Sequence, residues 1–479
     1  MVTFVQIQSF FVGAGAGPMC RGTVAALAVG LVGLAGDAAF AMSLQEAVHQ
    51  AVNTHPQIYA AQAGFRASGY VLGQAQGRFF PEVDVDADVG KQKIDRPEGL
   101  GPDINNVWRF RRRAGVTVRQ ILFDGFERAN EVYRSQALIS AASQRVLVRS
   151  QAIALNTVEA YIDVRRHLNL LALAQENVKR HQSLLKLIRE RYEGGKAPIG
   201  DVDQTIERVE AAKSLVVQIS QALGTAKAKF RSAVGAEPEN LQSVGVAPGV
   251  PVNLEEARDI ARQNNPRVAQ GLAEIDVADF EQKKFRATFL PEVYLEGTAS
   301  KGHELEGTPG PNDELAGKIV LRWKLMEGGV RLHREAELGE RYYEKVAELD
   351  AFIRQLIEEV EISWTRLVEG RKQVELRRTQ LSQNEKIVAA YRDEYNANKR
   401  SLLDVLDAET SRFASQFELS NTQAIFLFSG YQLLAHSGKL LAELGISAPD
   451  SYGEVGASLP VGLQNPVRQK FVIPSLRPD

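Results

Sequence analysis

Cysteine is nearly missing from this chain: of its 479 residues the only one is Cys20. Neither a disulfide framework nor a cysteine-ligated metal site is open to it. The histidines His49, His55, His167, His181, His303, His333 and His436 are scattered without metal-ligand spacing, and no nucleophile motif or glycine-rich phosphate loop occurs. No enzyme and no cofactor are therefore expected. The net charge of −2 gives no reason to expect nucleic acid as a partner. Beyond residue 42 no run of about 18 apolar residues occurs, so no later helix is expected to cross a bilayer.

What the chain does have begins with an export signal. Met19-Cys20-Arg21 opens on a positive charge, an apolar core follows to Gly36, and Ala39-Phe40-Ala41 forms a small-x-small cleavage site. Residues 1–41 are expected to be removed, leaving a mature chain without cysteine. Met1 to Pro18 carry no Lys or Arg, so translation is expected to start at Met19. A membrane anchor is the competing reading, disfavoured because the run is short and ends in a processing site.

Two stretches of one shape then stand far apart. In the later one, Tyr395 to Glu409, Asp404 and Asp407 follow a basic turn at Lys399-Arg400; three residues apart on a helix, they share a face. A lone pair of this kind is ordinarily a solvated helix start favoured by the helix dipole. The earlier stretch argues for more: Tyr192, Lys196, Ile199, Asp201 and Val202 each lie 203 positions before Tyr395, Lys399, Leu402, Asp404 and Val405. A constant offset of this kind signals duplication.

Both halves follow one plan. Ser43-Leu44-Gln45-Glu46-Ala47 and Asn253-Leu254-Glu255-Glu256-Ala257 start short helices, His55-Pro56 and Asn265-Pro266 interrupt them, and Pro81-Glu82-Val83 and Pro291-Glu292-Val293 end the helical periods that follow. The period then drops to two. Val83, Val85, Ala87 and Val89 alternate with Asp84, Asp86 and Asp88, and Val293, Leu295, Gly297 and Ala299 alternate with polar neighbours. Loops at Arg96 to Asp103 and Gly302 to Asp313 lead to returning strands, with Ala114, Val116 and Val118 in one and Ile319, Leu321 and Trp323 in the other. Phe123-Asp124-Gly125 and Met326-Glu327-Gly328 end them. Proline-free helices are expected over Glu127 to Glu193 and Val330 to Asn398, each about 100 Å long at about 1.5 Å per residue. Returning helices cover Val202 to Val234 and Leu403 to Leu444. The spacing of Leu349, Phe352, Ile353, Leu356, Ile357 and Val360 is that of a helix packed on neighbours.

The expected organisation is a first repeat over 42–236 (β-hairpin 82–123, helical hairpin 127–234), a linker 237–252, a second repeat over 253–445 (β-hairpin 292–325, helical hairpin 330–444), and an extended or disordered tail 446–479. By alternation alone the four strands fit either a soluble sandwich layer or a transmembrane barrel. Their length, about ten residues, and loops long on one side only favour the barrel. Four strands cannot close one, so several chains must contribute: eight strands leave an interior filled by side chains, and twelve are the first multiple with an open lumen. A trimer is expected. Arg109, Arg111, Arg112 and Arg113 then fall at a strand's loop end, where they fit either contact with outer lipid phosphates or a solvated margin.

The order and spacing of these features resemble the TolC family of outer-membrane factors, over essentially the whole chain from residue 42 to about Gly445. The resemblance rests on the duplicated halves, the Leu44 and Leu254 openings, Pro-Glu-Val before each first strand, Phe123-Asp124-Gly125, and the Arg400-Ser-Leu-Leu-Asp404-Val-Leu-Asp407 tip. It implies an α+β membrane protein: a homotrimeric twelve-stranded barrel in the outer membrane, continued by an α-helical coiled-coil tunnel in the periplasm. The implied partners are a periplasmic adaptor and an inner-membrane transporter of ABC or RND type, in drug efflux or type I protein secretion, with outer-membrane lipid around the barrel. Asp404 and Asp407 match the family's paired aspartates at the pore constriction, where like charges raise each other's pKa and attract cations. Tyr395 and Arg400 match its gate latch and Asp201 the acidic acceptor, so an Arg400 to Asp201 pair is expected to hold the entrance shut. Pro198 and Gly200 depart from the family pattern at the first tip.

Two other classes compete. Asp404 and Asp407 as a paired acid and base are the only opening for an enzyme. A periplasmic adaptor also carries a long helical hairpin with β modules, but it is expected to have one hairpin where this chain has two.

Overall fold

A computed structural model describes residues 41–95 and 106–447. The signal segment other than Ala41, most of the first strand loop and the tail from 448 onward lie outside the described residues. Short helices α1 (Leu44–Thr54) and α2 (Pro56–Gly77) precede strands β1 (Glu82–Lys93) and β2 (Trp108–Phe123), then helices α3 (Glu127–Glu193) and α4 (Ile199–Val234). The same order recurs as α5 (Leu254–Asn264), α6 (Pro266–Arg286), β3 (Glu292–His303), β4 (Pro311–Arg322), α7 (Val330–Asn396) and α8 (Leu402–His436), with α9 (Leu440–Glu443) at the end. Both α3 and α7 contain 67 residues.

Local chemistry accounts for the boundaries. Ser43 and Glu46 form a reciprocal capping box on α1, and Asn253 caps α5 through the Glu256 amide. The His-Pro and Asn-Pro steps restart a helix: His55 and Asn265 accept from the second amide beyond them, and the following prolines occupy the first helical position, where no amide is needed. Before α3 the chain takes positive φ at Gly125 and Phe126, and before α7 at Gly328 and Gly329. Gly125 has a second constraint, since a Cβ there would lie 2.7 Å from the Ala287 carbonyl oxygen.

The strands form one antiparallel sheet in the order β1-β2-β3-β4, so the two hairpins pair through β2 and β3, with a register shift between Ile121 and Phe123. The second loop is shorter than expected. β3 runs to His303 and β4 starts at Pro311, an edge position where the missing amide removes no ladder bond. Trp323 falls outside β4 because its indole Nε1 donates to the Phe289 carbonyl, turning the chain toward α7. Neighbours across the sheet divide the β2 arginines between two faces: Arg112 lies on the apolar side with Ala114, Val116 and Val118, whereas Arg109, Arg111 and Arg113 share the polar side. The four therefore cannot act together on lipid, because successive strand residues point to opposite faces.

Exposure on this sheet is inverted from that of a soluble protein. Val85 is 77% and Leu315 88% exposed on the apolar face. On the polar face the side chains of Arg109 and Glu296 are only 15% and 13% exposed, shielded by ion pairs: Arg109 to Glu304, Arg111 to Asp88, and Glu296 to Arg119 and Lys318.

The main apolar core lies where α1, α3, α4 and α8 meet, around Val48, Val158, Tyr161, Phe230 and Leu434. The linker is part of this core: Leu241 and Ala247 are buried, the Tyr161 hydroxyl reaches the carbonyls of Met42 and Gln242, and Arg165 donates to the Leu241 carbonyl. Ile446, expected in the tail, is buried there too. A second core holds the expected seam, with Leu349, Leu356 and Val360 buried and Phe352 and Ile353 packed against them. Helix α8 stops at His436, short of the expected Leu444, where Gly438 takes positive φ.

Candidate functional site

At the end of the long helices remote from the sheet, two turns reverse the chain by one mechanism. After α3, Gly195 is left-handed and the Lys196 amide returns to the Arg191 carbonyl; after α7, Asn398 is left-handed and the Lys399 amide returns to Glu394. Asparagine tolerates this conformation, which is why it stands where the first tip has glycine. The helices that leave the turns start differently. Ser401 caps α8, its hydroxyl accepting from the Asp404 amide (3.2 Å) and donating to Asp404 Oδ2 (2.7 Å). Pro198 has no side-chain group to cap α4, so Asp201, the counterpart of Asp404, is not drawn into a capping box.

The tips are joined by a compact apolar cluster of Leu184, Ile188, Val202, Tyr395, Leu402, Val405 and Leu406. Tyr395 is 7% exposed, and burial pushes its hydroxyl pKa up. The Arg191 guanidinium lies over its ring, 4.7 Å from the centroid, and donates to Asn398 Oδ1. One arginine of the first hairpin thus grips the second at two points.

Arg400 is engaged within its own hairpin. Its Nε donates to Glu394 (2.8 Å), its guanidinium covers the Tyr391 ring at 4.0 Å, and Asp404 lies 4.0 Å from Nη1. The expected Arg400 to Asp201 pair is not formed within the chain, and the Asp201 carboxylate makes no ion pair among the described residues. The turn explains this outcome: closing Lys399 back onto Glu394 leaves Arg400 beside the Glu394 carboxylate, a nearer partner than anything on α4. Asp404 and Asp407 both face water, at 43% and 62% side-chain exposure, and Asp407 lies 3.8 Å from Arg208 of α4.

Just above sits a charged cluster that sequence reasoning missed. Glu409 and Arg412 of α8 are buried and paired at 3.0 Å, Arg392 of α7 pairs with the same carboxylate, and Arg412 also donates to Gln416. His181 of α3 is buried beside them, and burial pushes its pKa down. Arg191, Arg208 and Glu394 were also unrecognised. Nothing in their local spacing marks them, although Arg191 directly precedes Tyr192 of the first tip. An open groove between α3 and α4 near the tip is lined by Lys186, Arg189, Glu190, Glu193, Glu210 and Lys213. Among the described residues no cluster of metal-ligating side chains occurs, and no helix is long and apolar enough to cross a membrane.

Comparison with known proteins bears on the whole of this architecture. Residues 47–236 and 257–433 match the sequence model described as Outer membrane efflux protein. The chain is 23% identical over 431 residues to the outer membrane efflux protein BepC of Brucella suis, covering 88% of this chain and 91% of that one. It is 24% identical over 424 residues to the alkaline protease secretion protein AprF of Pseudomonas aeruginosa, covering 84% and 85%. Its fold matches the outer membrane protein VceC of Vibrio cholerae with a TM-score of 0.70 at 17% identity, over 85% of this chain and 97% of that one. These likenesses lend no support to the periplasmic adaptor reading. The family match covers well over half the chain in two blocks that take in both helical hairpins and both pairs of strands, and the chain belongs to the outer membrane efflux protein family.

Proposed function

We propose that this outer-membrane efflux protein works as a homotrimeric exit duct, in which three copies pool their strands into a twelve-stranded barrel and their helices into a periplasmic tunnel. The inverted exposure of the sheet carries the reading. A face of valine, leucine and isoleucine turned outward, over a polar face rich in carboxylates and in arginines and lysines, four of them in ion pairs, suits hydrocarbon outside and water within. In a lone chain β1 and β4 each present an open edge. Hydrocarbon does not tolerate unpaired backbone groups, so pairing β1 of one copy with β4 of the next removes the cost, and three copies leave a lumen. The matched order of elements in the two halves supports an internal duplication.

At the inner end, Asp404 and Asp407 of three chains would ring the constriction and favour cations. Asp201, which makes no ion pair among the described residues, is the acceptor offered to a neighbouring copy, with Arg400 as the candidate donor and Tyr395 fixing the hairpin between them. A periplasmic adaptor docking at the tips, along the charged groove between α3 and α4, would couple the duct to an inner-membrane transporter of ABC or RND type. AprF is named for protease secretion and BepC for efflux, so protein secretion and small-molecule export are both in reach; we favour type I secretion. The cargo is separated by deleting the gene and measuring secreted protein beside drug sensitivity.

The assembly itself is tested by cysteine cross-linking, for which a chain without cysteine beyond Cys20 is well suited. A cysteine at Leu315 of β4, combined in turn with one at each outward position of β1 (Val83, Val85, Ala87, Val89 and Lys91), is expected to yield covalent trimers on oxidation of the membrane-embedded protein at the one offset that the barrel's stagger sets. A ladder that stops at dimers, or no ladder in protein that conducts ions, would refute the trimer.

A further inference from the structure

The two faces of the sheet treat cations differently. On the polar face Arg109, Arg111, Arg119 and Lys318 are each matched with a carboxylate, Arg113 stands opposite Asp88, and Arg322 opposite Glu292. On the apolar face the strand register gathers Lys91, Arg112 and Lys301 near the loop end, with Lys93 one step further out opposite Trp108. Arg112 stands opposite Val89 of β1 and His303 of β3, Lys91 opposite Phe110, and Lys301 opposite Ala114. Lys91 and Lys301 are therefore diagonal neighbours of Arg112, at about 7–8 Å across the sheet. All three are exposed, and none forms an ion pair with any described residue. One carboxylate shares the face, that of Asp313 opposite Lys301, and it too has no ion-pair partner among the described residues.

We propose that Lys91, Arg112 and Lys301 form a binding site for the phosphate of a membrane lipid headgroup on the outer, loop-side rim of the barrel. The proposal rests on the barrel reading above. Three unmatched cations on a surface otherwise built for hydrocarbon are costly unless an anion accompanies them, and the anion a bilayer offers at its margin is phosphate. Position agrees with charge. From Val83 to Lys91 the chain covers about 26 Å of strand at about 3.3 Å per residue, about 20 Å of height at a tilt of about 40°, so Lys91 falls in the outer part of an apolar band about 25 Å tall, within side-chain reach of its edge. Exposed Phe110 and Trp108 lie on the same face one and two pairs further toward the loop, as aromatic residues do at a membrane interface. The planar Arg112 fork suits bidentate contact with phosphate oxygens, and the flanking lysines add point charges from either side. Once filled, the site would fasten β1, β2 and β3 of one chain to a single headgroup.

The test uses full-length protein reconstituted in phosphatidylcholine vesicles with and without phosphatidic acid. Wild-type protein is expected to unfold at higher temperature when phosphatidic acid is present and to retain that lipid on re-extraction. The combined Lys91→Gln, Arg112→Gln, Lys301→Gln variant is expected to retain about tenfold less and to lose the thermal rise. Arg113→Gln, on the polar face, should behave as wild type. Conductance in phosphatidylcholine alone, equal in all three proteins, shows that the variants are folded. Equal lipid retention by the combined variant and wild type would overturn the proposal. So would a matching thermal rise from inorganic phosphate in detergent without lipid, since the site would then hold the free anion. Absence of conductance from wild-type protein would instead refute the barrel, and the site with it.

Discussion

Replacing Arg191 by glutamine is the perturbation most informative about the gate. Within one chain, Arg191 joins the first hairpin to the turn of the second at two points, the Tyr395 ring at 4.7 Å and the Asn398 side-chain oxygen. A partly buried cation over an aromatic ring contributes about 1 kcal/mol, and a hydrogen bond from a charged donor about 1.5 kcal/mol. Allowing for water that replaces part of this, loss of Arg191 should weaken the contact between hairpins by about 2 kcal/mol per chain. If opening separates them, the closed-to-open ratio falls about thirtyfold. The assay is single-channel recording of purified protein in planar bilayers, with Arg191→Gln expected to show longer and larger openings. Tyr395→Phe is the decisive companion: the phenylalanine ring keeps the cation contact, and the Tyr395 hydroxyl makes no hydrogen bond among the described residues. It should leave conductance near wild type. If Tyr395→Phe opens the channel several-fold while Arg191→Gln does not, the hydroxyl is the latch and this reasoning is wrong. Arg400→Ser gives a third reading, since among the described residues the ion pairs of Arg400 lie within its own hairpin, so a rise in conductance would point to a partner on a neighbouring copy.

Other predictions concern the scaffold. Burial alone would raise the Glu131 pKa, but hydrogen bonds from Arg134 and Lys284 overcome that and hold it at about 2, tying α3 to α6. Stability from this carboxylate is present above its ordinary 4.5 and lost as pH falls toward 2; Glu131→Gln should cost roughly 2 kcal/mol at neutral pH in thermal unfolding and flatten the acid limb. His181 has its pKa lowered by burial and by Arg208, Arg412 and Arg392, against the opposing pull of Glu409. Its folded value lies below the ordinary 6.5, so the tip should lose stability as pH drops beneath 6.5, and His181→Gln should remove that slope when unfolding is followed against pH. Gly125→Ala combines positive φ with a 2.7 Å clash and should cost about 3 kcal/mol or more. Gly329→Ala, equally left-handed but meeting only the His333 ring at 3.9 Å, should cost about 1 kcal/mol; equal losses from the two in thermal melts would discount the Ala287 contact.

The legible part of this protein was everything carried by local period and punctuation. Helix α3 begins at Glu127 and ends at Glu193 as its proline-free pattern predicts, because a helix is closed by bonds four residues apart and stopped by the turn that Gly194 and Gly195 allow. Strand alternation identified the apolar faces, since a period of two is set by the pleat itself. Tertiary structure decided which charges meet. Arg400 turns to Glu394 rather than Asp201, Arg191 takes the Tyr395 ring, and His181 is buried against the Glu409 and Arg412 pair. It also sent Arg112 to one face of the sheet and Arg109, Arg111 and Arg113 to the other, with different neighbours on each. A long side chain reaches several candidates within a few ångströms, and which of them it finds depends on how helices distant in sequence lie against one another. That relation is written in no local period, so the elements could be read from the chain and their electrostatic pairing only from the fold.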